Sequence, residues 1–380
     1  MKIKDIAAAI EEIVPLNLAQ DWDNVGLLIG DVQKNVKRIL LTIDVTSDVV
    51  AEARKLKTDL IVSYHPVIWD GLKKITSDGP SSTVHELIRS GIAVFSIHTA
   101  LDAVKGGVND GLAEIVGIED GKPIGVDSRF RGNDIGDNAQ HGLRHYKLVV
   151  FVPVESVAEV SNAVFAAGAG AIGNYSNCGF GAEGTGTFLP LEKAKPAIGK
   201  KGEMEKVPEI RFETIVPAEK LDAVVTAMKN AHPYETPAFD IIKLYNSQNE
   251  FGLGRIGKLA KPLRIEQIIQ RIRKRTGAQA VGLIGNEKRL VKTAAVCAGS
   301  CGKIINSVIA AKADLYLTGE LKHHQALAAQ EAGLTCICLS HTVSERFILK
   351  KFAKQLQKQL NSVTIRISKK DADPFKWKNV

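Results

Sequence analysis

Two distant segments of this chain carry one pattern. Gly91 to Asp102 reads G-I-A-V-F-S-I-H-T-A-L-D, and Gly333 to Glu345 reads G-L-T-C-I-C-L-S-H-T-V-S-E. Each is an apolar run ending in His-Thr with an acid four positions after the histidine. Such a run reads as a buried strand that delivers its histidine to the C-terminal tip. If the chain then winds helically, His341 and Glu345 project to one side, and so do His98 and Asp102. An imidazole and a carboxylate converging at a strand tip suit a divalent cation. The echo extends further: Lys57-Thr58-Asp59-Leu60 through His65 parallels Lys312-Ala313-Asp314-Leu315 through Glu320. A duplication of this kind predicts an α/β fold. Two related half-domains with mostly parallel sheets would face each other across a shared cleft, each offering one strand-tip cluster.

In chain order, helices alternate with short apolar strands over the first third, as a covered parallel sheet requires. Ile3, Ile6, Ile10 and Ile13 give an amphipathic helix stopped by Pro15. Strands are expected at 38–44, 60–64 and 92–97. A stretch rich in Gly, Asp, Asn and Arg then lacks apolar periodicity and reads as a linker. Residues 146–245 change grammar to β-α-β, β-α-β with a glycine-rich segment, which predicts an inserted ferredoxin-like α+β domain. After Gly254 the first grammar returns. The expected domains are 1–120, a linker at 121–145, an insertion at 146–246 and a second half at 250–380.

The chain has 380 residues, 45% hydrophobic and 24% charged, which is the composition of a water-soluble globular protein of two or three domains. No apolar stretch reaches the ~18 residues of a membrane helix, and M-K-I-K-D-I lacks the apolar core of a signal peptide. A cytoplasmic protein with no membrane partner is expected. Five cysteines, an odd number without zinc-ribbon spacing, fit a reduced compartment. The net charge of +8 gathers near the C-terminus, where Lys350, Lys351, Lys354 and Lys358 read as a solvated helix face. Such a field favours an anionic substrate. Nucleic acid is not the expected partner.

The candidate ligands are His65, Asp102, His341 and Glu345, with His98 as a further one. Imidazole and carboxylate without thiolate suit Zn, Mn or Fe, one or two ions per chain. The alternative is that His98 and His341 cap strands and bond locally. The chemistry the set implies is hydrolysis. Glu320 and His324 in T-G-E-L-K-H-H fall beside the same cleft, and His324 or His98 is assigned proton transfer. Trp22 and Asn24, flanking Asp23 in a polar-aromatic loop, are candidates for substrate contact, and Glu320 is a third. His232, Tyr234 and Glu235 in the insertion are given a packing role.

H-P-V-I-W after a strand, H-T-A-L-D, W-D-N-V-G-L, T-G-E-L-K-H-H and S-H-T-V-S-E together resemble one family. It is the GTP cyclohydrolase 1 type 2 homologue family, the Nif-three-like dinuclear-metal proteins. The insertion resembles the PII-like (CutA-like) domain of its longer bacterial members through G-T-G-T-F-L-P and H-P-Y-E-T-P-A-F-D. The resemblance implies a metal-dependent hydrolase acting on a nucleotide or similar small phosphorylated substrate, and a toroidal homohexamer. It matches His65, Asp102, His341 and Glu345 to family metal ligands. Many members have His-His before the proline, whereas this chain has Tyr64-His65, so the first metal loses an imidazole. A Tyr64 phenolate or a water would fill that gap. The rival function is a regulatory or metal-handling protein whose insertion senses a ligand or partner.

Overall fold

The structure, a computed structural model, describes residues 1–124, 145–244 and 251–375. Most of the linker expected at 121–145 lies outside them. The chain divides into two compact units, Met1–Gly142 with Asn249–Val380, and Leu143–Gln248.

The first unit opens with α1 (Ile3–Ile13), whose Ile3, Ile6 and Ile10 are buried at helical spacing. It continues through β1 (Gly26–Ile29), β2 (Arg38–Thr42), α2 (Ser47–Lys55), β3 (Leu60–Ser63), α3 (Ser82–Arg89) and β4 (Ala93–Ser96). Thr46 caps α2 by accepting the Val49 N–H at 3.3 Å. Every residue of β3 and β4 is buried, as strands covered on both faces must be. Then follow α4 (His98–Ala103), α5 (Val108–Val116) and β5 (Ile118–Lys122).

The second unit runs β6 (His145–Pro153), α6 (Val157–Ala166), β7 (Gly179–Phe188), β8 (Glu205–Pro217), α7 (Leu221–Ala231) and β9 (Phe239–Lys243). Its sheet has the order β7-β8-β6-β9 with all neighbours antiparallel. Leu148, Val150, Val152, Phe212 and Val216 on one sheet face pack with Val160, Val164, Val224 and Met228 of the helices.

The first unit resumes with β10 (Arg255–Arg264), α8 (Ile265–Thr276), β11 (Gly282–Ile284), β12 (Leu290–Cys297), α9 (Ile305–Ala310) and β13 (Leu315–Thr318). It ends with α10 (His323–Glu331), β14 (Thr335–Cys338), α11 (Val343–Arg346), α12 (Leu349–Gln359) and β15 (Thr364–Ile367).

This unit holds two sheets, β1-β4-β3-β2-β15 and β11-β14-β13-β12-β10-β5. The run β1-β4-β3-β2 repeats as β11-β14-β13-β12: in each, the outermost pair is antiparallel and the next two pairs are parallel. The repeat reaches single side chains. Asp59 Oδ2 accepts the Lys37 and Arg38 N–H groups at 2.8 and 2.9 Å, and Asp314 Oδ2 accepts those of Lys292 and Thr293 at 2.9 and 3.0 Å. Just ahead of each aspartate, Lys57 and Lys312 take left-handed backbone, at φ 52° and 55°. The sheets differ at the edge beyond β2 and β12, where one adds parallel β15 and the other antiparallel β10 and β5. Among the described residues no helix is long and apolar enough to cross a membrane.

Candidate metal centre

The backbone ladder between β2, β3 and β4 runs past the strand ends. His65 N–H donates to the Ile43 carbonyl at 3.0 Å, and His98 N–H donates to the Tyr64 carbonyl at 2.9 Å. These bonds fix both histidines at the sheet's C-terminal edge. In the other half, Ser340 N–H donates to the Gly319 carbonyl at 3.0 Å, and Ser340 turns the chain with φ 77°. His341 and Glu345 then lie one helical turn apart. Ser344 locks that turn: its hydroxyl donates to the His341 carbonyl at 2.6 Å and accepts the Gly299 N–H at 2.8 Å.

His65, His341 and Glu345 come together, with one ligand atom from each within 4.8 Å of the others. His341 Nε2 is 3.3 Å from Glu345 Oε1, and His65 Nε2 is 3.5 Å from Glu345 Oε2. The second separation lies at the limit of a hydrogen bond, and among the described residues the buried Glu345 Oε2 accepts no hydrogen bond. Both imidazoles are held from behind by carboxylates: Asp44 Oδ1 at 2.9 Å from His65 Nδ1, and Glu320 Oε1 at 3.0 Å from His341 Nδ1. With Nδ1–H donating outward, each imidazole turns Nε2 toward the centre, which is how ligating histidines are oriented, and His65 would give up its Nε2 proton to a cation. Gly299 leaves the room. At its φ of 68° a Cβ would sit 2.7 Å from Glu345 Oε1 and 3.4 Å from His341 Nε2. Two Nε2 atoms and a buried carboxylate make a donor set that fits one divalent cation.

Asp102 stands beside this set with a different partner. Its Oδ1 accepts a short hydrogen bond from the fully buried Tyr64 hydroxyl. Burial pushes the Asp102 carboxyl up to about 6; His98, His65 and the Tyr64 bond pull against this, while the Glu345 charge adds to it. Burial likewise raises the Tyr64 phenol well above its usual range, reinforced by Asp102 and Glu345. Tyr64 is therefore a neutral donor here rather than a phenolate. For His65, burial favours the neutral ring, but the Asp44 and Glu345 carboxylates outweigh it and push the pKa up to about 10. Burial raises Asp44 and Asp23, yet their histidine partners, His65 and His98, hold each below the usual carboxylate value.

His98 is buried, bonded through Nδ1 to Asp23 Oδ1 at 2.8 Å, and ringed by Tyr64, His65, Trp69 and Trp22 at 5.1–5.9 Å between centroids. Trp22 is exposed at its edge, and Asn24 donates to the Ile68 carbonyl at 2.7 Å. Glu320 is exposed behind His341. His324 is exposed on α10 with its ring against His323, and no hydrogen bond among the described residues joins it to the cluster. Asp44, Gly299 and Asn109 went unnoticed in the sequence. Asp44 follows directly on a strand, so the tip rule that found His65 reaches it too. Asn109, fully buried, donates to the Asp102 carbonyl and accepts the Ala298 N–H, both at 2.9 Å, tying the two sheets' tips together.

A model of the Duf34/NIF3 (NGG1p interacting factor 3) family matches residues 1–374. The chain belongs to this family. A relative from Staphylococcus epidermidis named GTP cyclohydrolase 1 type 2 homolog is 33% identical over 383 residues, covering 100% of both chains. One of the same name from Bacillus subtilis is 34% identical over 98% of this chain and 97% of its own. The crystal structure of a Bacillus cereus protein related to NIF3 superposes with a TM-score of 0.73 at 35% identity, covering 99% of each chain.

Proposed function

We propose that this protein is a metal-dependent hydrolase whose two related half-domains build one cleft and hold one divalent cation through His65, His341 and Glu345. The observation that carries this reading is Glu345, 3% exposed, set between two imidazoles from opposite halves of the unit, with one carboxylate oxygen that accepts no hydrogen bond among the described residues. A cation bound there supplies Lewis acidity toward water and toward a phosphoryl or carbonyl oxygen. Asp44 and Glu320 orient the two imidazoles. Tyr64 donates a buried hydrogen bond to Asp102 next to them, in the place where a second ion would need an imidazole. His98, aligned by Asp23, is the group assigned to move a proton, since it lies among the site's rings and His324 does not. The substrate class is a nucleotide or similar small phosphorylated molecule, supported by the relatives' name and the basic balance of the chain. The inserted unit is proposed as ferredoxin-like from its strand order. A cytoplasmic homohexamer, as the family resemblance implies, completes the proposal; light scattering tests the assembly.

The test is metal content per chain, followed by GTP turnover read by chromatography of the products. Near one ion per chain, and turnover that needs it, is the expected result. His98→Ala should keep the ion and lose turnover. Loaded protein that is inert on every nucleotide tried would reject the hydrolase reading while leaving the cation site standing.

A further inference from the structure

The second unit holds a buried charge that the metal centre does not use. Side chains alternate along β8, so Glu209, Arg211 and Glu213 lie on the face opposite Phe212 and Val216, which pack with the helices. On that face Glu213 is paired twice, with Lys147 at 2.7 Å and Arg211 at 2.8 Å. Glu209 is not. It is 7% exposed, and the Tyr234 hydroxyl donates to its Oε1 at 3.0 Å. No lysine or arginine among the described residues forms an ion pair with it. Glycine makes its position affordable: a Cβ at Gly186 on the neighbouring strand would run into this carboxylate.

Above Glu209 lies a cavity of about 450 Å3, walled by Phe151, Phe188, Pro190, Ile198 and Tyr234. That is the size and character of a small-molecule site. Its walls are pinned. His232 Nε2–H donates to the Phe151 carbonyl at 2.9 Å while Nδ1 accepts the Tyr234 N–H at 3.1 Å, setting Tyr234 edge-on to Phe188 at 5.7 Å. Glu235 accepts the Lys195 N–H at 3.0 Å and so ties down the loop at the rim. Burial and the adjacent Glu209 keep the Tyr234 phenol protonated, so it spends its proton on Oε1. The carboxylate keeps acceptor capacity for a further donor.

We propose that this cavity binds a small planar cation of the amidine or amino-heteroaromatic class, its N–H donors on Glu209 and its ring among Phe151, Phe188 and Tyr234. A buried carboxylate that no lysine or arginine pairs among the described residues favours a charged N–H partner, and the fork of an amidine matches it. The aromatic walls favour a flat ring. This makes the insertion a ligand-binding unit in its own right, with residues that the His–Glu cluster does not share.

The experiment is calorimetric titration of the full chain with benzamidine, and with benzoate as a ring of the same size and opposite charge. Benzamidine should bind and benzoate should not. Glu209→Gln, which keeps the shape and the Tyr234 bond, should weaken benzamidine by about tenfold or more, the weight of one charge-assisted hydrogen bond. Ala194→Trp fills the cavity from its rim and should abolish binding without lowering the melting temperature. Benzoate binding as tightly as benzamidine, unchanged affinity in either variant, or no benzamidine binding up to its solubility limit would each overturn the proposal.

Discussion

The two halves of the first unit share a backbone plan and differ in how they finish their strand tips. In the first half His65, His98 and Asp102 are buried, and each has a side-chain partner: Asp44 for His65, Asp23 for His98, Tyr64 for Asp102. In the second half the tip is open, with the His341 side chain 34% and the Glu320 side chain 50% exposed, and Glu345 half-satisfied. The sharpest contrast lies at Tyr64 and Gly319, which occupy equivalent places just past β3 and β13. One carries a phenol bonded to Asp102. The other has no side chain, and a Cβ there would lie 2.5 Å from the Gly299 carbonyl oxygen. A duplicated scaffold has thus been made unequal, one side supplying rigid, protonated support and the other the unpaired oxygen. That inequality is the basis of the proposed single cation.

Substitutions can break that comparison, beginning with the shared ligand. Glu345→Ala should reduce metal content measured by plasma mass spectrometry from about one ion per chain to background, because it removes the only buried oxygen in the set. Retained metal would place the site elsewhere. Next comes the contrast between the supports. Asp44→Ala should weaken the cation by roughly 100-fold and Glu320→Ala by roughly 10-fold, the two ends of the range for outer-shell partners. Equal losses in a competition titration would erase the distinction between a support 35% exposed at its side chain and one 50% exposed. Tyr64→His returns the missing imidazole and should raise the metal content above that of the parent. If it stays at one ion, the phenol is not what limits the stoichiometry.

The smallest effect is a pH slope. In the metal-free protein His65 and Asp102 both bind protons more tightly when folded, so folding takes protons up and stability falls as pH rises. The Asp102 share is lost as pH passes from its ordinary value through about 6, and the His65 share between about 6.5 and about 10. A fall of a few degrees in melting temperature across that range is expected in chelator. Loading with cation, which displaces those protons, should flatten or reverse it.

The sequence made the strand tips legible because buried parallel strands are written as short apolar runs, and because the pattern occurs twice. The runs at 60–64, 92–97 and 335–339 led to β3, β4 and β14 within a residue or two at their ends. Other elements were invisible. β10 contains Pro262, slips register between Lys258 and Leu263, and pairs partly through exposed residues, so it has no clean alternation. β7 is rich in glycine, and its ten residues include no β-branched one beyond Thr185 and Thr187. At the site, the ligand types could be read from chemistry. The Tyr64–Asp102 bond could not, since spacing along the chain says nothing about which of two neighbouring groups a buried carboxylate will choose.

One feature of the topology bears on how such a molecule is made. β15 lies parallel to β2, and past it Asp371 accepts the Ile43 N–H at 2.9 Å and the guanidinium of Arg346. The first sheet therefore cannot be finished until residues from the far end of the chain have left the ribosome. During translation the open edge of β2 must wait while the whole second unit, with its own core, emerges and folds. A nascent chain in that state has one completed unit and one unpaired sheet edge, the kind of surface that chaperones guard. Cation capture at the proposed site needs both His65 and Glu345, so it follows the emergence of the whole second unit.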